Sequence, residues 1–254
     1  MAESGGKGRA DAERAFAFMQ RGDIRGTRVG QWKFGTAVET PEVPLRHDSN
    51  YLTVEQNGSA RAIAEAARAH PMGSRHRKLI VEDGDRGRAL EAGLVELGWT
   101  VDRGVVMVER RPRERAADTS LVIEVDHEAL RDTREREVLT YPWGSPELAR
   151  QLFESTSMNP LQTRFFAVFV DGEPVSYTDL YVDPPDAQIE AVYTVPEHRG
   201  RGYASAVVAH AADEARLASA TFVFLVADAD DWPQHLYRRL GFDEVGRYYG
   251  FLLR

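Results

Sequence analysis

The sequence predicts a mixed α/β protein, a central sheet flanked by helices. Three observations predict it. In the C-terminal half, strand and helix periods run in the order strand, two helices, three strands, helix, strand, helix, strands. Asp171-Gly172 stands between two strand-like runs and signals a hairpin. The apolar run "TFVFLVA" reads as a strand buried on both faces, which needs helices on both sides of the sheet.

The elements of that half follow in order. Ser120–Val125 alternates and reads as a strand. His127–Leu139 reads as a helix with Asp126 as its N-cap, and Pro142 interrupts it. Ser145-Pro146 opens a second helix, with proline at the first helical position where its missing N–H does no harm. Arg164–Val170 and Pro174–Val182 are the two hairpin strands, and Ala187–Val195 is a third. A helix spans Gly202–Leu217, and Thr221–Ala227 is the buried strand. Pro233–Gly241 is a short helix closed by its glycine. Residues 242–254 offer a closing pair of strands turning near Gly246.

The N-terminal half begins with a polar lead-in, "MAESGGKGRADAER", read as floppy. Asp11–Gly22 has the pattern of an amphipathic helix. Trp32–Thr40 and Asn50–Gln56 read as strands, and Ser59–His70 as a helix stopped by Pro71. Lys78–Arg110 reads as strand, helix, strand, strand. Its "ALEAGLVELGW" echoes "WPQHLYRRLGF" near the C-terminus, which suggests a duplication. The charged segment Val108–Ser120, with Pro112, reads as a linker between a domain of residues 1–112 and one of residues 119–254.

Composition bounds the chemistry. With 254 residues, 43% of them hydrophobic, the chain can build one large core or two small ones. It has no cysteine, so disulfides, thiolate metal sites and a thiol nucleophile are excluded. Its seven histidines lack metal-ligand spacing, and no metal is expected; Arg75-His76-Arg77 and His70 read as a solvated basic segment. No run reaches the ~20 apolar residues of a membrane span, and no signal-peptide core opens the chain, so a cytoplasmic protein is expected. The net charge of −8 argues against a nucleic-acid partner. From Thr119 onward there are 12 arginines, no lysine and 22 acidic residues, a formal −10 against +2 for the remainder. Such a half attracts a cationic acceptor, although surface acids also serve solubility.

The sharpest chemical signal is "VYTVPEHRGRGYASAVVAHAA", Val192 to Ala212. A β-branched strand runs into a loop with Gly200 and Gly202, and a small-residue helix starts at once. The first N–H groups of that helix have no internal partner, and glycines let the backbone approach a phosphate closely. Arg199 and Arg201 add positive charge. An arginine-glycine helix cap of no function explains the loop equally well when it is taken alone. A GxGxxG pattern and a GxxxxGK[ST] pattern are both absent.

Arg199-Gly200-Arg201-Gly202-Tyr203-Ala204 resembles the acyl-CoA-binding motif of the GNAT superfamily, Arg/Gln-x-x-Gly-x-Gly/Ala. "LYRRLGF", Leu236 to Phe242, resembles the second motif of that family, one strand further on. The resemblance covers about Thr119 to Arg254. It implies a largely antiparallel central sheet and transfer of an acetyl group from acetyl-CoA, as co-substrate, to a small-molecule or peptide amine by direct attack. It also implies that backbone groups of Val192, Tyr193 and Val195 pair with the pantetheine arm, and that the amides from Gly200 to Ser205 hold the pyrophosphate. The Val195 amide becomes the oxyanion donor, and Tyr237 the acid that protonates the leaving thiolate. Glu190 is the first candidate for the base that deprotonates the amine; Asp179 and Glu154 are weaker candidates for amine contact. The bland readings are a packing tyrosine and an ordinary strand acid.

Two departures stand out. The stretch before Tyr237 reads "ADADDWPQHLY" and lacks the asparagine often found there. The N-terminal half lacks the glycine loop, and Leu94 stands where Tyr237 would, so a duplicated first half has lost cofactor binding. A non-catalytic acyl-CoA-binding or regulatory module is the alternative function. The acceptor, the acyl chain length and the oligomeric state are open at this point.

Overall fold

The computed structural model describes residues 2–24 and 28–254. The chain divides into two compact units: residues 1–106, 228–230 and 245–254 form the first, and residues 107–227 and 231–244 the second.

In the first unit the helices are α1 (Ala2–Ile24), α2 (Ala60–Ala69) and α3 (Gly84–Glu96). The strands are β1 (Arg28–Trp32), β2 (Gly35–Glu39), β3 (Tyr51–Thr53) and β4 (Arg77–Val81), with most of β5 (Thr100–Glu109) and of β11 (Phe242–Leu253). Their order is β1-β2-β3-β4-β11-β5. β1, β2 and β3 are antiparallel, β3 runs parallel to β4, and β11 returns antiparallel on β4. Leu52, Leu79, Leu94, Trp99 and Phe251 fill the core.

Four expectations for this half change. The N-terminal stretch is not a floppy lead-in, because α1 begins at Ala2 and Ala12, Ala15 and Phe16 bury one face of it. Trp32–Thr40 is not one strand, since the chain turns at Lys33-Phe34 into the β1–β2 hairpin. The region after α3 is one strand, β5, and not two. Gly104 there is required by packing: a Cβ would lie 2.1 Å from the Tyr248 ring. The segment around His76 is not simply solvated. His76 is buried and bonds the Asn50 carbonyl, and Arg77 reaches four carbonyls, two of them (Ala67, His70) at the end of α2.

In the second unit the strands are β6 (Val122–Val125), β7 (Gln162–Val170), β8 (Glu173–Asp183), β9 (Asp186–Thr194) and β10 (Phe222–Asp228), in the order β10-β9-β8-β7-β6. β6 to β9 are antiparallel, and β9 and β10 are parallel. The helices are α4 (Arg131–Thr140), α5 (Pro146–Thr156), α6 (Tyr203–Leu217) and α7 (Pro233–Arg239). This is the mixed, largely antiparallel sheet with flanking helices that the sequence predicts. Ser145 caps α5 through the Leu148 N–H (3.2 Å), and the β7–β8 turn uses positive φ at Asp171 and Gly172. Asp126 makes no side-chain cap, because a 3₁₀ turn, His127–Leu130, precedes α4. The closing pair of strands is instead one continuous strand, β11. Gly246 does not turn; it lets Ala12 of α1 approach, where a Cβ would stand 2.6 Å from the Ala12 Cβ.

Candidate active site

The site is built where β9 leaves its neighbours. β8 and β9 pair in register through Asp179↔Glu190, then resume at Tyr177↔Tyr193. Two steps along β8 therefore match three along β9, a β-bulge, and Ala191 within it has φ 52°. On the other edge, pairing of β9 with β10 ends at Ile189↔Leu225. Beyond that point one edge of β9 faces away from any partner strand.

Strand register decides which amides use that edge. The Val195 N–H donates to the Val175 carbonyl (2.9 Å), so Val195 and its alternate neighbour Tyr193 bond toward β8. The expectations of Val195 as an oxyanion donor, and of Tyr193 and Val195 as backbone partners of the pantetheine arm, therefore need correction, because both residues are committed to β8. Thr194, between them, directs its backbone N–H to the open edge, while its hydroxyl lies 2.9 Å from that of Ser176.

The chain then enters the glycine loop. Arg199 Nε donates back to the Thr194 carbonyl (3.0 Å), and Arg201 reaches the Glu197 carbonyl (3.3 Å). Gly200 (φ 74°) and Gly202 (φ 84°) adopt the left-handed conformation that other residues reach only at a cost. Gly202 is the N-cap of α6 and has no side chain to satisfy the first turn. Ala206 is the residue that bonds back to the Gly202 carbonyl (3.0 Å), so the N–H groups of Tyr203, Ala204 and Ser205 precede the helical ladder. The same turn lines a groove of about 610 Å³ with Leu236 and Arg239 of α7, Leu240 just after it, and residues 114–118.

Tyr237 lies on α7 and is 6% exposed. Burial, and then the charge of Glu190, push its phenol above the usual tyrosine range. The Glu190 carboxylate is thus near enough for its charge to act on the Tyr237 phenol. Glu190 also accepts from Gln188 Nε2 (2.6 Å), and shares a sheet face with Asp179, Tyr177 and Tyr193 because of the bulge.

That face carries polar groups the sequence reading missed. Glu137 of α4 accepts from the hydroxyls of Tyr177 and Tyr141, and burial raises its carboxyl above the ordinary range. The Tyr177 and Tyr193 rings lie 5.6 Å apart. Asp179, expected as an amine contact, is instead 1% exposed and ion-paired with Arg134. Glu154 lies on the exposed side of α5 with Arg150 (2.7 Å) and is likewise no part of this cluster. A signal for the missed groups existed: Leu130, Thr133, Arg134, Glu137 and Val138 follow the inward spacing of one helical stripe, and two of them are charged.

Residues 127–242 match the model of the acetyltransferase (GNAT) family. The C-terminal part of the chain is a GNAT domain. Among solved structures, a conserved protein of unknown function from Staphylococcus epidermidis is similar at 19% identity and a TM-score of 0.69, over 90% of this chain and 94% of that one. A GCN5-related N-acetyltransferase from Kribbella flavida is similar at 18% identity and a TM-score of 0.61, over 94% of each chain. At such identities the likeness is one of fold. No curated protein matches the sequence. Among the described residues, no helix is long and apolar enough to cross a membrane, and no group of three His, Asp or Glu side chains could hold a metal ion.

Proposed function

We propose that the GNAT domain transfers an acetyl group from acetyl-CoA to an amine in a ternary complex, without a covalent enzyme intermediate. The observation that carries the reading is the open edge of β9 leading directly into the uncapped first turn of α6. The residues fit the coenzyme. A Cβ at Gly200 or Gly202 would meet nothing within 4 Å, so open space lies in front of the loop backbone. The N–H groups there, at the positive end of a 15-residue helix, suit a pyrophosphate. The edge of β9 at Val192 and Thr194 suits an extended pantetheine arm, which adds as a strand would.

In this reading the Thr194 N–H stabilises the developing oxyanion at the thioester carbon. Glu190 takes a proton from the ammonium form of the acceptor, directly or through water, because an ammonium has no lone pair for attack. Tyr237, held protonated by its burial, gives its proton to the departing thiolate, and the second proton of the attacking nitrogen, released as the adduct collapses to the amide, restores the tyrosine. An acidic domain favours a small-molecule or peptide amine as acceptor. Thiol release from acetyl-CoA across a panel of amines tests the reading. Release that depends on an amine supports it, while binding without release under any amine favours a regulatory acyl-CoA-binding module.

The first unit reads as a second, degenerate copy of the same fold. Its β3, α2, β4, α3, β5 sequence has the parallel pairing of β9, α6, β10, α7, β11. The equivalent of the open strand edge and uncapped helix is closed in this unit. Val54 still bonds the Ile80 carbonyl (2.8 Å), and Ser59 caps α2 through the Ala62 N–H. Leu94, in the place of Tyr237, is a fully buried core residue. As sequence repeats the two copies would run over residues 1–112 and 119–254, while residues 107–112 group with the second unit and residues 245–254 with the first.

A further inference from the structure

The segment leading into the GNAT domain is pinned to the second unit. The Arg110 and Arg111 N–H groups donate to the Gly241 carbonyl (2.9 and 3.1 Å). The Arg111 guanidinium bridges Asp243 (2.7 Å) and the Arg238 carbonyl (2.9 Å). Arg113 grips Asp213 (2.8 and 3.0 Å) and the Ala209 carbonyl (2.7 Å), and the Glu114 N–H donates to the Arg239 carbonyl (2.9 Å). These bonds set residues 114–118 as one wall of the 610 Å³ groove, with the first turn of α6 and the end of α7 as the others.

The charges around that groove are unevenly matched. Arg111, Arg113 and Arg238 are neutralised by Asp243, Asp213 and Glu244. Arg115, Arg201 and Arg239 line the groove, and among the described residues none of the three has an acidic partner. Two acids also line it: Asp118 is turned onto Ser120 (2.5 Å), and Glu114 remains. The arginines without acidic partners are thus the ones that face the groove. The pyrophosphate would occupy the α6 amides, so Arg115 and Arg239, on the other two walls, are left for an anion beyond it.

We infer that Arg115 and Arg239 form a subsite for the phosphate on the ribose of CoA, so that the segment before the GNAT domain reads the nucleotide end of the coenzyme. The segment lies outside residues 127–242, the part that matches the family. The inference rests on the coenzyme reading above.

Calorimetric titration of CoA and of 3′-dephospho-CoA into the full chain, wild type and Arg115→Ala/Arg239→Ala, tests it. The wild type should prefer CoA by about tenfold or more, as expected for charge-assisted contacts. The double variant should bind both alike, with dephospho-CoA affinity within about twofold of wild type. CoA should also shield the Arg115-Ala116 bond from trypsin, and dephospho-CoA should shield it less. Equal wild-type affinities, or a preference that survives in the double variant, would overturn the subsite alone. Binding of neither nucleotide would overturn the coenzyme reading and the subsite with it.

Discussion

Tyr237 and Thr194 carry the account at the scale of single residues. A general acid contributes about 10²–10⁴ in rate, so Tyr237→Phe should lower kcat by that order and leave acetyl-CoA affinity nearly unchanged. Unchanged turnover would remove Tyr237 from the reaction. Because burial and Glu190 raise its phenol, the tyrosine keeps its proton across the accessible alkaline range. Any alkaline fall in kcat below pH ~10, the ordinary tyrosine value, must therefore persist in Tyr237→Phe. Thr194→Pro removes one N–H from an edge that pairs with no strand. It should weaken acetyl-CoA binding about tenfold or more while the melting temperature changes little. A variant that turns over bound acetyl-CoA at the wild-type rate would return the oxyanion role to another donor. The glycine loop was legible because a short sequence spacing carries it, whereas Tyr237 and Glu190 stand as candidates, the first from the family resemblance and the second from its place on the strand before the loop. The resemblance implies the Val195 amide, whereas the strand register turns that of Thr194 to the open edge, and no single sequence shows the bulge that precedes it. Glu137 and Arg134 were hidden because a charged residue on a helix reads as solvated until its partner across the sheet is known.

At the scale of elements, the loop and the strands separate geometry from chemistry. Gly202 sits at φ 84° with open space around it, so Gly202→Ala should cost about 1–2 kcal/mol through backbone strain alone. A stability equal to wild type in chemical denaturation would mean that the loop relaxes. Gly104→Ala is of the other kind, since its Cβ would strike the Tyr248 ring, and overpacking of this sort costs about 1–3 kcal/mol. Most elements of the second unit could be read directly, because caps and turns announced them: Ser145-Pro146, Asp171-Gly172 and Gly241 act locally. One error fell on a glycine. Gly246 suggested a turn, yet it is small because α1 packs against it. Packing at a distance leaves no local mark that separates it from a turn.

At the scale of the molecule, the last residues of the chain belong to the first unit. Tyr249 and Phe251 are buried in its core, and β11 bonds β4 from Tyr249↔Val81 to Leu253↔Arg77. Truncation after Glu244 should therefore unfold the N-terminal unit first, seen as loss of hydrogen-exchange protection in β4. Protection retained in β4 would show that the unit stands without its last strand. Acid should also weaken the fold. Burial lowers His47 and His127 from 6.5 to about 4, and lowers His76 as well. The unfolded chain then binds more protons than the folded one between these values. The stabilisation is complete above about pH 6.5 and is lost as the pH falls toward 4. A melting temperature that stays flat from pH 7 to 5 would contradict this. The proposed duplication shows in the sequence only as a faint echo, because the first unit caps α2 with Ser59 where the GNAT domain has its glycine loop.

The most direct test of the central claim is calorimetric titration of acetyl-CoA into the purified protein beside Gly202→Glu, which adds a carboxylate where the phosphates would lie. The account predicts micromolar binding by the wild type and its loss in the variant. No binding by the wild type, or binding that survives in the variant, would contradict the placement of the coenzyme on this loop.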